Sequence, residues 1–263
     1  MPVGPATSVS VAAPALNPLR VGMPAMDGIH SRLAVQSPRR RGRVYTILRT
    51  TEIDSYEIEA AADERRPVPG PTALAPAGDS FKGTARKAAK ISFPSAATKA
   101  FTDLRKLIES LPADQTMEFH QPPITAKSTS NRVSEERRNV RVRAFLYAAS
   151  HEEDNDFHLI IGRDPARRPE MYMTMELSGL PPKKATAFAK LKAARDAYKA
   201  FFGTNLPGMT YDFYDPPIPV RVEGALFFDI SHANGQRPGP QSLKSRMPTI
   251  WEVHPITNIV LEP

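Results

Sequence analysis

Proline is the residue that most limits what this chain can build. Each one fixes φ and removes a backbone donor, so helices and interior strands must lie between prolines rather than across them. The 263 residues hold 27 of them, about twice the ordinary share of about 5%. A good part of the chain therefore reads as linker, and the length leaves room for one large domain or two small ones. No apolar run approaches the roughly 18 residues that a membrane span needs, which predicts a soluble chain with no membrane partner. The absence of cysteine excludes disulfides, thiolate metal sites, iron–sulfur clusters and a cysteine nucleophile. A formal net charge of +7 favours acidic partners, nucleic acid first.

The pattern divides the chain into four parts. Residues 1–43 lack periodicity and end in Ser37-Pro38-Arg39-Arg40-Arg41-Gly42-Arg43, a disordered basic arm. A secretory signal is rejected, because the first arginine is Arg20 and prolines break the Ala/Val-rich part. A twin-arginine signal fails because no apolar stretch follows Arg43. The acid-poor arm fits a mitochondrial transit peptide better, though it shows no clean amphipathic helix; the main expectation is a cytoplasmic or DNA-associated protein. Residues 44–119 read as a small basic α/β module. Val44 to Thr50 and Glu52 to Glu59 form short strands, and a basic helix follows Phe81. A second helix, Ala96 to Leu111, places Phe101, Leu104, Leu107 and Ile108 on one face, and Pro112 stops it. Residues 120–135 read as a linker.

Residues 136–263 are the most regular. Val140 to Tyr147 alternates as a half-buried strand, followed by strands over Phe157 to Ile161 and Met171 to Leu177. A helix spans Lys183 to Phe202, with Gly203 as its C-terminal cap. Val220 to Ile230 makes a fourth strand, with Gly224 where a wall must bend, and Thr249 to Leu261 a fifth. The order β-β-β-α-β-β predicts an α+β fold whose C-terminal part is an OB-like five-stranded β-barrel, with the helix between strands three and four. An α+β sandwich has the same element list.

Four strings carry a resemblance: Asp154-Asn155-Asp156-Phe157-His158-Leu159, Met175-Glu176-Leu177, Val222 to His232 with Phe227-Phe228-Asp229-Ile230-Ser231-His232, and Trp251-Glu252-Val253-His254-Pro255-Ile256. Together they resemble a set of bacterial OB-fold-like domains, mostly of uncharacterised function, over residues 136–261. The resemblance implies the fold more than any activity. Upstream, Leu48-Arg49 and then Phe81-x-Gly83-x-x-x-Lys87-Ala88-Ala89 weakly resemble, over residues 44–93, the small chromosomal DNA-bending proteins of methanogens, which implies a basic helix against DNA.

Three functions compete. The preferred expectation is a non-enzymatic nucleic-acid-binding protein, DNA more than RNA, with weak sequence preference and no cofactor. Arg39, Arg40, Arg41, Arg43, Lys82, Arg86, Lys87 and Lys90 would neutralise phosphates. Arg141 and Arg143 would share a strand face with Phe145 and Tyr147, which could stack on bases. The second reading is a metal-dependent phosphodiester hydrolase. Asp154, Asp156, His158, Glu176, Asp229, His232 and His254 offer oxygen and imidazole donors suited to Mg²⁺, Mn²⁺ or Ca²⁺, although no HExxH, GxSxG or phosphate-loop pattern is present. The third is a structural or protein-interaction module using loops 150–156 and 233–248, the first of which is acidic and would repel phosphate.

Overall fold

The computed structural model describes residues 29–35 (backbone only), 43–54, 77–233 and 237–262. Arg39, Arg40 and Arg41 lie outside them. Eight strands form one mixed sheet: β1 (Ile29–Val35), β2 (Arg43–Arg49), β3 (Thr98–Phe101), β4 (Asn139–His151), β5 (Phe157–Gly162), β6 (Tyr172–Leu177), β7 (Asp212–Phe228) and β8 (Trp251–Leu261). The spatial order is β1-β2-β7-β8-β6-β5-β4-β3, and β4 also pairs with β7. That extra pairing closes β4, β5, β6, β8 and β7 into a ring of five. All ring pairings are antiparallel except β6 with β8, which run parallel through Met175 and Val253. Among the described residues, three short helices, α1 (Lys87–Lys90), α2 (Leu104–Ile108) and α3 (Asp114–Glu118), precede one long helix, α4 (Phe188–Phe202), which connects β6 to β7. No helix among the described residues is long and apolar enough to cross a membrane.

Alternation along the ring strands puts Val140, Val142, Leu159, Met175, Leu226 and Val253 into one core with Trp251 and Phe228. The long helix lays Leu191, Ala194, Tyr198 and Phe202 inward, with Arg195 also buried. It ends at Gly203, whose φ of +56° suits glycine and whose N–H donates to the Lys199 carbonyl at 2.8 Å.

The register of β7 with β8 shifts on both sides of Gly224. A Cβ there would lie 2.4 Å from the Pro255 carbonyl oxygen and 3.1 Å from the Ile256 Cα. Both are backbone atoms, so Gly224→Ala is expected to cost about 1–3 kcal/mol through overpacking, read as a lower urea midpoint.

Residues 44–119, expected as a separate module, share the ring's core. The second strand pairs with β7 and the third with β4, while Tyr45, Ile47, Leu104, Leu107 and Met117 join the same apolar cluster as the ring. The expected helix from Ala96 to Leu111 is corrected. Thr98 to Phe101 pair in parallel with Asn139 to Val142, and sheet pairing overrides the helical spacing there. Only Leu104 to Ile108 are helical, started by Asp103, whose side chain accepts from the Arg105 N–H at 2.9 Å. The expected linker 120–135 is also built into the body, since Ile124 and Arg132 are buried.

At the end of β4, His151 stacks on Phe157 with ring centroids 4.2 Å apart, and its Nε2 lies 2.9 Å from Asn155 Oδ1. Burial, reinforced by the Arg195 guanidinium, lowers its pKa to about 4 from 6.5. The folded protein therefore resists a proton that the unfolded chain accepts. Stability is unaffected by His151 above pH 6.5 and falls by up to about 3 kcal/mol as the pH drops toward 4. His151→Gln is expected to flatten that stretch of a stability–pH profile measured by denaturant unfolding.

Candidate metal centre

Because Leu159, Met175, Val253 and Leu226 point into the core, their neighbours His158, Glu176, Glu252, His254 and Phe227 point to the outside of the ring wall. Register sets them side by side: His158 lies opposite Glu176, and Phe227 opposite Glu252. The outer face is not open to water. Segment 79–92 lies across it, with the Phe81 N–H bonded to the Leu180 carbonyl, the Lys82 N–H to the Asp154 carbonyl, and the Ser178 hydroxyl to the Lys90 carbonyl.

His254 is the centre of the first group. Its Nδ1 lies 2.9 Å from Glu176 Oε2 and 3.5 Å from Glu252 Oε2, and its Nε2 lies 3.2 Å from Asp156 Oδ2. His254, Asp156 and Glu252 have no exposed surface, and Glu176 has 3%. Asp156 is oriented by its other oxygen, which accepts the Gly179 N–H at 2.5 Å. The Asp156, Glu176 and His254 donor atoms all lie within 4.8 Å of one another, the compactness that a single cation requires.

A second group adjoins it. Asp229 follows β7, and its Oδ1 accepts the Ser231 N–H at 2.9 Å, which turns the chain so that His232 Nε2 comes within 3.8 Å of Oδ2. The Asp229, His232 and Glu252 donor atoms also lie within 4.8 Å of one another. A third group joins Asp54, Glu152 and His158. His158 Nδ1 meets Glu152 Oε1, with Tyr211 Oη at 3.2 Å and Asp54 Oδ2 at 3.7 Å.

Burial and mutual charge shape these groups. Burial pushes Asp156 up to about 7, Asp154 adding to the push and His254 opposing it. Burial, then Glu176, raises Glu252 to about 8. Burial opposes charge on Glu176 as well, but His254 and Lys90 hold it well below the usual carboxylate range. The imidazoles of His254 and His158 resist burial's pull and stay well above their ordinary value, His254 chiefly because of Glu176 and His158 because of Glu152. Lys90 is held protonated against burial by Glu176 and Asp229. The arrangement concentrates carboxylates in a buried site, balanced in part by the His254 imidazole and the Lys90 ammonium, and offers oxygen and nitrogen donors of the kinds that divalent cations take.

Of the sequence-predicted ligands, Asp156, Glu176 and His254 come together, Asp229 and His232 form the adjoining group, and His158 turns to the third. Asp154 stands half-exposed beside them, its Oδ1 bonded to the Asp156 N–H at 3.1 Å. Sequence reasoning missed Glu252, Glu152 and Asp54 as donors. The signal for Glu252 was its spacing: it alternates with the inward Trp251 and Val253, as His254 does, so both share one face.

The predicted phosphate contacts do not assemble among the described residues. Arg86 does not face outward. It is 1% exposed, and it donates to both oxygens of Glu136 at 2.7 and 2.8 Å and to the Phe228 carbonyl at 2.9 Å. Lys90 is half-buried among carboxylates. The Arg141 Nε donates to Glu223 at 2.6 Å. Lys82 and Arg143 are exposed and Lys87 is half-exposed, while Arg43 lies in β2 with its side chain outside the described residues. The predicted stacking pair is also corrected. A register shift between Leu146 and Ala148 buries Tyr147, whose hydroxyl donates to the Arg163 carbonyl at 2.9 Å, and Phe145 packs half-buried beside it.

Comparison with family models, with curated proteins and with solved structures finds no match. Both resemblances rest on the quoted strings alone.

Proposed function

We propose that this protein is a divalent-cation-dependent phosphodiester hydrolase acting on nucleic acid, and that its five-stranded ring is an OB-like barrel. The reading is carried by one observation: Asp156, Glu176 and His254 converge, fully buried, on the outer wall formed by the ring's second, third and fifth strands. The ring order first-second-third-fifth-fourth, with the helix between third and fourth, supports the barrel reading. In OB-folds the second and third strands carry the ligand face. On this wall they carry carboxylates and imidazoles where a stacking platform would have aromatics, which favours a cation over bare nucleic acid.

Asp156, Glu176 and His254 would hold the cation, which when bound supplies Lewis acidity toward a phosphoryl oxygen and lowers the pKa of water. Lys90, held charged by Glu176 and Asp229, stands beside the cation position and would balance charge on the substrate's anionic oxygens. Lys82 and Lys87 flank it on the covering segment, and the formal charge of +7 draws a polyanion toward it.

The test is nucleotide release from single- and double-stranded DNA and from RNA with Mn²⁺, with Mg²⁺, and with chelator. Release with a cation, its absence with chelator, and its loss in His254→Ala are the expected results. Salt-sensitive binding with no cleavage under any cation would return the protein to the non-enzymatic reading.

A further inference from the structure

The adjoining group raises a question the first does not answer: what Glu252 is for. Its side chain has no exposed surface; Oε1 has no hydrogen-bond partner, and Oε2 meets the His254 Nδ1 at the long distance of 3.5 Å. A buried carboxylate this poorly supplied with donors costs folding free energy, which a bound cation would offset. One side of this carboxylate faces His254 at 3.5 Å. The same residue closes the Asp229–His232 group, with all three donor atoms within 4.8 Å. A buried carboxylate with one free oxygen, standing between two donor sets, has the placement of a bridging ligand in a two-metal site, where the ions sit about 3.5–4 Å apart.

We propose that Asp229, His232 and Glu252 form a second cation position, with Glu252 bridging it to the Asp156–Glu176–His254 position. The inference rests on the cation-binding reading of that first position and adds a second ion to it. The second position is the one nearer solvent: the Asp229 and His232 side chains are 10% and 7% exposed, against none for Asp156 and His254.

The test is Mn²⁺ binding to the full chain by calorimetry, with the electron paramagnetic resonance spectrum recorded at saturation. Two Mn²⁺ per chain and the exchange-coupled spectrum of a bridged pair are expected. Asp229→Asn combined with His232→Ala is expected to reduce the stoichiometry to one, with an uncoupled spectrum and affinity at the remaining position changed by less than about tenfold. One uncoupled Mn²⁺ in the unsubstituted protein overturns the second position and leaves the first standing. No bound Mn²⁺ overturns both. Two ions that persist in the doubly substituted chain place the second one elsewhere and also overturn the proposal. The spectrum of the unsubstituted protein decides the matter even where the variant fails to fold.

Discussion

Arg86→Met is expected to destabilise the protein by about 3–5 kcal/mol, the usual cost of stranding one member of a buried ion pair. Arg86 and Glu136 are 1% and 0% exposed. The guanidinium spans both carboxylate oxygens and also donates to the Asn131 and Phe228 carbonyls. Glu136 in turn accepts the Val133 and Phe228 N–H groups at 2.7 and 2.8 Å. With Arg86 gone, the carboxylate keeps its two backbone donors but loses its counter-charge. Arg86→Met combined with Glu136→Gln is expected to recover part of the loss, because the amide oxygen still accepts a backbone N–H and no charge is left unpaired. Urea unfolding of the two variants beside the unsubstituted protein measures the effect; a loss below about 1 kcal/mol for Arg86→Met would contradict the pairing. The same substitution should leave the salt dependence of any nucleic-acid binding unchanged, since a buried side chain releases no counterions from a phosphate backbone.

The second large effect is stabilisation by the cation itself. A ligand that binds only the folded state adds about 2.7 kcal/mol at one hundred times its Kd. For a chain of this size that corresponds to a rise in Tm of about 5–10 °C. Mn²⁺ is expected to produce such a rise, chelator to reverse it, and His254→Ala to abolish it, because the imidazole touches all three carboxylates Asp156, Glu176 and Glu252. A melting curve that Mn²⁺ leaves unmoved would remove the first position and the hydrolase with it.

Much of the ring could be read from residue order because half-buried strands alternate and the long helix repeats its apolar positions. Val140 to Tyr147, Phe157 to Ile161 and, within the helix expected from Lys183, Phe188 to Phe202 announce themselves in this way, and Gly224 marks a bend that its tight contact with Pro255 explains. The phosphate contacts failed through one assumption, that cations stay wet. Arg86 and Lys90 look like an exposed basic stripe, but long side chains can bury when carboxylates far along the chain meet them, and nothing local in the 82–90 stretch reveals Glu136 or Asp229. The Ala96–Leu111 helix failed similarly, since Asn139 to Val142, some forty residues later, supply the pairing for Thr98 to Phe101. The ligand set was half visible: Asp156, His158, Glu176, Asp229, His232 and His254 were named by chemistry. Which of them meet was decided by the parallel pairing of β6 with β8, a contact between strands that are separated in sequence by a helix and another strand.

Arg132 adds a mechanical consequence. Its guanidinium donates at once to the Ala89 and Ser92 carbonyls of the covering segment and to the Leu226 and His254 carbonyls of two ring strands. It rivets one margin of the cover to the backbone of His254, the imidazole proposed to hold the cation. The opposite margin is clamped as well, by Asp79, which accepts from the Arg195 Nε at 3.0 Å and the Lys199 Nζ at 2.6 Å, so the cover is pinned at both ends like a strap buckled twice.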